Sequence, residues 1–229
     1  KALLPDGDFP WGILTCDAKY PAIRDTEVSP YLQVRHDDSG VAAYGLLRTI
    51  TATLVGAGRP ILGAIPVRGD TNEQGSFQQA FGDLVRIYGR LFRLVMYDAG
   101  AASLPNADAV RKAGKHYFFQ GADPRWVMYQ TLELLLADKT PAVRDEEVVS
   151  DRVRIVRSLS LVSLSPTAKN LTVWGHARTA LKVYSETYED GVLTGTLTRF
   201  FITSLESSEL PAEKWLRLVV LRWGVETAH

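Results

Sequence analysis

The chain has 229 residues, 46% hydrophobic and 23% charged, which is enough apolar material for one large soluble domain or a domain carrying an insertion. Lys and Arg (26) balance Asp and Glu (26), so any nucleic-acid contact needs positive charge collected on one face and compensated elsewhere. No run approaches the roughly 18–20 apolar residues that span a bilayer, the start KALLPDGDFPWG lacks a secretion-signal pattern, and the single Cys excludes an internal disulfide framework.

In chain order, WGILTCDAKY at 11–20 is predicted as a strand. YGLLRTITATLV at 44–55 is predicted as a second and RPILGAIPVR from about 60 as a third, with Gly56-Ala57-Gly58 as the turn between them. Asp70-Thr71-Asn72 offers helix caps, with Thr71 and Gln74 at capping-box spacing, ahead of an amphipathic helix over about 75–89. FRLVMYDAG at 92–100 is a short apolar run ending in Asp98; a helix over about 104–114 and a strand HYFFQGA follow.

A helical segment with Trp126, Leu132, Leu135 and Leu136 leads into an acidic linker, RDEEVVSD. Strand-like runs fill 152–204, with Asp190-Gly191 as a hairpin turn, and PAEKWLRLVVLRWGVETAH is predicted as a closing helix with Pro in its first turn. Three antiparallel strands followed by alternating helix and strand are the element order of a ribonuclease H-like α/β fold, a mixed sheet flanked by helices. The expected organisation is a core over 1–140, a β-rich insertion over 141–206, and a final catalytic helix over 207–229 that returns to the core.

Phosphoryl transfer on DNA needs an activated oxygen nucleophile and a stabilised leaving oxygen. Two divalent ions about 3.5–4 Å apart, held by hard carboxylate oxygens, meet both needs. Asp17 in the first strand and Asp98 at the end of a later one meet if the two strands are parallel neighbours, and Glu226 on the last helix can close such a site. Each placement alone also suits a turn residue, a cap or a solvated charge.

The text around these acids resembles one family. Leu221-Arg222-Trp223-Gly224-Val225-Glu226 is similar to the Arg/His-Trp-x-Ile/Val-Glu motif of bacterial insertion-sequence transposases of the DDE type with a β-rich insertion. LTCDAKY, GDTNE, VMYDAGAAS and RFFITSL resemble, in order, that family's first-Asp strand, the segment after its third strand, its second-Asp strand and loop, and the strand before its last helix. Val219 stands where relatives often carry Tyr, and Ala18 where they commonly carry Gly.

The resemblance implies Asp17, Asp98 and Glu226 as catalytic residues and ligands of two Mg²⁺ ions (Mn²⁺ as a substitute), with Arg222, one turn from Glu226, on the DNA end. It also implies double-stranded DNA as partner, at transposon ends and target, a homodimer in the synaptic complex, and a cytoplasmic, nucleoid-associated prokaryotic protein. Relatives carry an N-terminal DNA-binding segment, so the chain is expected to be an excised core. The alternatives are a catalytically inactive DNA-binding or assembly relative and a ribonuclease H-like nuclease.

Other residues admit two roles. Trp174 either stacks on a flipped base or packs the β-rich block. Arg178 with Lys182, and Arg152 with Arg154, either track phosphates or line a solvated strand face. Cys16 is expected to face away from Asp17, since strand neighbours alternate. Glu73 suits a helix cap, and Asp25 is the nearest substitute for Asp17. His36, His116, His176 and His229 lack metal-ligand spacing. Phosphate-loop, H-E-x-x-H and G-x-S-x-G patterns are absent.

Overall fold

The computed structural model describes residues 9–23, 29–55, 59–97, 100–121, 123–164 and 174–226, the last five by their backbone alone. It is a mixed α/β protein whose contacts divide it into two compact units, Lys1–Lys115 and His116–His229.

The first unit is built on strands β1 (Ile13–Lys19), β5 (Thr49–Leu54), β6 (Ile61–Pro66) and β7 (Leu94–Tyr97), in the order β6-β5-β1-β7. β5 pairs antiparallel with both β1 and β6, whereas β7 runs parallel to β1. Central strands buried on both faces carry continuous apolar runs. The first four residues of β1 and all of β7 are accordingly buried. Gly12 enters β1 where no side chain fits, because a Cβ there would stand 1.8 Å from the Leu91 carbonyl oxygen.

The expected strand over 44–55 is two strands. β4 (Ala42–Leu47) joins β2 (Ala22–Ile23) and β3 (Leu32–His36) in a separate sheet of order β2-β4-β3, and the chain breaks at Arg48 before β5. Arg48 donates to the Thr71 carbonyl at 2.8 Å, a tertiary tie that no local pattern announces. The pairing of β5 with β6 agrees with a hairpin, but Gly56-Ala57-Gly58 lie outside the described residues.

Helix α1 (Glu73–Tyr88) starts earlier than expected. Its N-cap is Asn72, whose side chain accepts from the Gly75 N–H at 2.9 Å, so the Thr71–Gln74 capping box gives way to a stronger capping residue. Glu73 sits in the first turn, where the helix dipole favours a carboxylate. Phe77 and Phe81 stack at 5.4 Å, and Phe77 meets Tyr97 at 5.3 Å, which fastens α1 to β7. Helix α2 (Leu104–Lys112) is capped by Ser103.

The second unit is an antiparallel sheet in the order β8-β12-β11-β10-β9: β8 (His116–Gly121), β9 (Val143–Val148), β10 (Val153–Ser163), β11 (Thr179–Glu189) and β12 (Val192–Thr203). The run expected as an insertion is therefore continuous in one sheet with β8, through β12. Asp190 (φ 49°) and Gly191 (φ 79°) make the β11–β12 turn, in the left-handed conformation that two-residue hairpins require.

The expected acidic linker is instead mostly the edge strand β9. Its charges are matched by its neighbours: Arg157 to Glu147 at 2.5 Å, Arg154 to Glu146 at 3.3 Å and Arg144 to Glu186 at 3.2 Å. A charged, exposed edge also discourages pairing with foreign strands.

Helices α3 (Val127–Leu136) and α4 (Ala212–Glu226) pack on this sheet. Phe118 stacks on Phe201 at 5.1 Å and on Trp215 of α4 at 6.3 Å, and the Trp215 indole donates to the Ser207 carbonyl. Among the described residues no helix is long and apolar enough to cross a membrane.

Candidate active site

Asp17 lies where β1 emerges from the core, the first residue of the strand that is not fully buried. Thr51 of β5 stands opposite it in register. Cys16 is 4% exposed and Asp17 more open, in keeping with their opposite faces. On the other side of β1, Cys16 pairs with Tyr97, the last residue of β7. Asp17 and Asp98 are thus each one residue beyond a paired position of two parallel strands. Asp98 itself lies outside the described residues, as does Asp25.

Lys19, two residues along the same strand face, brings its ammonium to 2.6 Å from Asp17 Oδ2. The approach is off the line of a hydrogen bond, and that oxygen, shielded from solvent, makes none among the described residues. A buried carboxylate oxygen without a hydrogen bond is costly unless a cation lies beside it, and here the Lys19 ammonium is that cation. Asp17 is a hard oxygen donor whose charge is balanced here by Lys19, and carboxylate oxygens of this kind are the donors that hard divalent ions take. No group of three metal-binding side chains occurs among the described residues.

The loop after β7 is anchored by a residue that pattern reading passed over. Asn106, in the first turn of α2, is fully buried and donates from Nδ2 to the carbonyls of Ala101 (3.0 Å) and Gln74 (3.1 Å). It ties the start of α2 to the loop and to the start of α1. Its only sequence signal is a polar residue among Ala and Val on a helix. Lys19 had a clearer one, the Asp-x-Lys spacing on a predicted strand.

The second unit holds the remaining candidates. Glu226 and Arg222 lie on α4, the expected closing helix, and their side chains are outside the described residues; His229 lies beyond them. Trp174 is 9% exposed and packs against Tyr117 (5.9 Å) and His176 (6.2 Å). Of the two roles the sequence allows, the structure shows the packing one: apolar burial holds the indole inside the unit.

Arg178 and Lys182 likewise have partners within the unit. Lys182 donates to the carbonyl of Leu136 at 2.6 Å, covering the unsatisfied end of α3. Arg178 donates to the carbonyls of Gly175 and Ala177 and pairs with Glu206 at 3.2 Å. Both cations are held by the protein's own acceptors. Arg154 pairs with Glu146 and lies over the Tyr188 ring, and Arg152 is 3.9 Å from Asp190.

Two of the histidines, His116 and His176, are engaged inside the second unit. His176 Nδ1 is 3.0 Å from the Tyr117 hydroxyl, and His116 Nδ1 is 3.2 Å from the Ser204 hydroxyl. Ahead of α3, Asp123 accepts from the Arg125 side chain and backbone N–H, and these bonds hold its carboxyl down at about 2.

No family model and no curated protein matches the chain. Among solved structures it is similar to a piggyBac transposase in a synaptic complex with hairpin DNA. That similarity has a TM-score of 0.45 and 12% identity, and it covers 94% of this chain and 39% of the other. The chain thus spans about two fifths of that protein's length.

Proposed function

We propose that the chain is the catalytic core of a metal-dependent DNA transposase of the DDE type with a ribonuclease H-like core. One structural observation carries most weight. β1 and β7 are parallel neighbours in register, so Asp17 and Asp98 each follow a paired residue, Cys16 and Tyr97, at the same end of the two strands. The order β6-β5-β1-β7, with three antiparallel strands and then a parallel one, supports the same reading.

Glu226 and Arg222 enter through the motif around them, Arg-Trp-Gly-Val-Glu, on a segment that is helical up to Glu226. Asp17 and Asp98 belong to the first unit and Glu226 to the second, so their joint role rests on the sequence resemblance. Bound divalent ions would supply activation of the attacking oxygen and neutralisation of the leaving one. Asp17 would hold one such ion through the oxygen now faced by Lys19, which has to swing away. Arg222 would place terminal phosphates with its guanidinium fork.

The expected reaction is hydrolysis of the phosphodiester at a transposon end, followed by attack of the freed 3′-hydroxyl on target DNA. The test is Mn²⁺-dependent cleavage of the DNA flanking the protein's own gene, with Asp17→Asn, Asp98→Asn and Glu226→Gln compared at equal folded concentration. Each substitution is expected to abolish cleavage. Retained cleavage in any of them removes that residue from the set. A wild-type protein with neither cleavage nor carboxylate-dependent Mn²⁺ affinity is the inactive relative.

A further inference from the structure

The sequence is neutral overall, so a basic face in one place has to be offset elsewhere. One such face lies at the C-terminal ends of α1 and α2. Arg86, Arg90, Arg93, Arg111, Lys112 and Lys115 fall within these ends and the short segments that follow them. A groove of about 530 Å³ opens here, lined by Arg86, Arg90 and Lys115 with Tyr88, Ile87 and Leu91, and by no carboxylate.

A helix C-terminus ordinarily repels anions, because its last carbonyls carry partial negative charge. Here Lys115 covers that charge. Its ammonium donates to the carbonyls of Gly89 and Phe92, just past the end of α1. Arg111 in turn donates to the Lys115 carbonyl at 2.7 Å. Lys115 thus answers the carbonyls at the end of α1, Arg111 holds the Lys115 backbone, and other cations are left to face outward. Arg86 is partly answered by Asp83 at 3.1 Å. Arg90 and Lys112 are exposed and make no ion pair or side-chain hydrogen bond among the described residues.

The groove is not the carboxylate end of the sheet. Leu91 lies just before the first residue of β7, and β7 runs parallel to β1, so the groove borders the end of the pair where both strands begin. Asp17 is towards the other end, five residues along from Gly12, which abuts Leu91, roughly 16–17 Å at the rise of a strand.

We infer that this groove is a separate contact for the phosphate backbone of duplex DNA, made by Arg90 and Arg86, with exposed Lys112, the chain neighbour of the groove-lining Ala113, at its border. Arginine suits phosphate because its planar fork gives two parallel hydrogen bonds to one anion. The concave shape favours a backbone strand laid along it over a membrane, which takes a projecting apolar face. The inference rests on charge and shape alone and does not need the carboxylates to be catalytic.

The test is binding of a short duplex of arbitrary sequence, followed by fluorescence anisotropy over a salt series in EDTA, so that no metal site contributes. Each neutralised phosphate adds about 0.9 to the slope of log affinity against log salt. The double variant Arg90→Glu/Lys112→Glu is expected to lower affinity at least about tenfold and to flatten that slope by about 2. Arg90→Gln is expected to flatten it by about 1. An equal charge reversal at exposed Arg35 and Arg125 is expected to leave the slope alone.

Three outcomes would overturn the inference: an unchanged slope in the Arg90 variants, an equal loss in the control, or no duplex binding by the wild type. A fourth is wild-type binding to vesicles of anionic phospholipid that the double variant loses while its DNA affinity stays the same. Loss or retention of Mn²⁺-dependent cleavage bears on the carboxylates and is read separately.

Discussion

Lys19 and Asp17, two residues apart on β1, form an ion pair of 2.6 Å around a carboxylate oxygen that has no hydrogen bond among the described residues. If Asp17 is a metal ligand, Lys19 competes with the ion for it. Lys19→Met is then expected to raise Mn²⁺ affinity by about fivefold, the equivalent of about 1 kcal/mol for a partly exposed ion pair. Isothermal titration calorimetry measures this directly. An unchanged or weakened affinity argues that Asp17 takes no part in metal binding.

Lys182 covers the carbonyl of Leu136, the last residue of α3, and this role is structural. Lys182→Met is expected to cost about 1–2 kcal/mol of unfolding free energy, through a lost charge-assisted hydrogen bond at a helix end. Denaturant titration would show it. Duplex DNA affinity and its salt slope should stay at wild-type values; a slope reduced by about 1 would return Lys182 to the DNA-contacting set.

Trp174 is expected to behave as a core residue. Trp174→Ala removes a ring packed against Tyr117 and His176, for a loss of about 3–5 kcal/mol. Trp174→Phe keeps most of the apolar volume and should lose less. Thermal melts of the two variants check the order, and equal stability of the alanine variant and wild type would contradict the burial.

The Asp123 carboxyl is held at about 2 by the Arg125 side chain first and the Arg125 N–H second. Its ordinary value is 3.8, so the folded state binds this proton less readily than the unfolded chain. The stabilisation is therefore full above about 4 and is lost as the pH falls towards about 2. Carbon-13 NMR of the Asp123 carboxyl should give a midpoint near 2, and Arg125→Ala should bring it back towards 3.8. A midpoint that stays at 3.8 in the wild type would remove this contact from solution.

Gly12 is required by a close approach. A methyl group at this position meets the Leu91 backbone oxygen, which cannot move aside without disturbing the β1–β7 pairing. Gly12→Ala is expected to destabilise the protein by about 3 kcal/mol or more, at the upper end of what overpacking costs. Urea unfolding of the variant measures it, and a loss under about 1 kcal/mol would mean that the backbone gives way easily.

The sequence by itself determined those features whose physics is local. Apolar runs marked β1 and β7, the 3.6-residue pattern marked α1, and Asp190-Gly191 marked the β11–β12 hairpin, since few residue pairs accept two left-handed conformations in succession. The motif that carries the proposal for Glu226 and Arg222 was also readable, because it lies in adjacent text. Local pattern could not separate β4 from β5: both are largely apolar and joined by a single residue, and the break at that residue, Arg48, is secured by Thr71, far along the chain.

Nor could it tell that RDEEVV is largely strand, since its charges are matched only by Arg154, Arg157 and Glu186 on strands folded alongside. The same holds for function. Lys182, Arg178 and Trp174 looked available for DNA as isolated letters, and only the folded units showed their partners: a helix end, a turn and two rings. The cations around Arg90 were scattered through two helices and gained a common groove when the helix ends met. Charge and burial are properties of what surrounds a side chain, and in this protein those surroundings are assembled from distant segments.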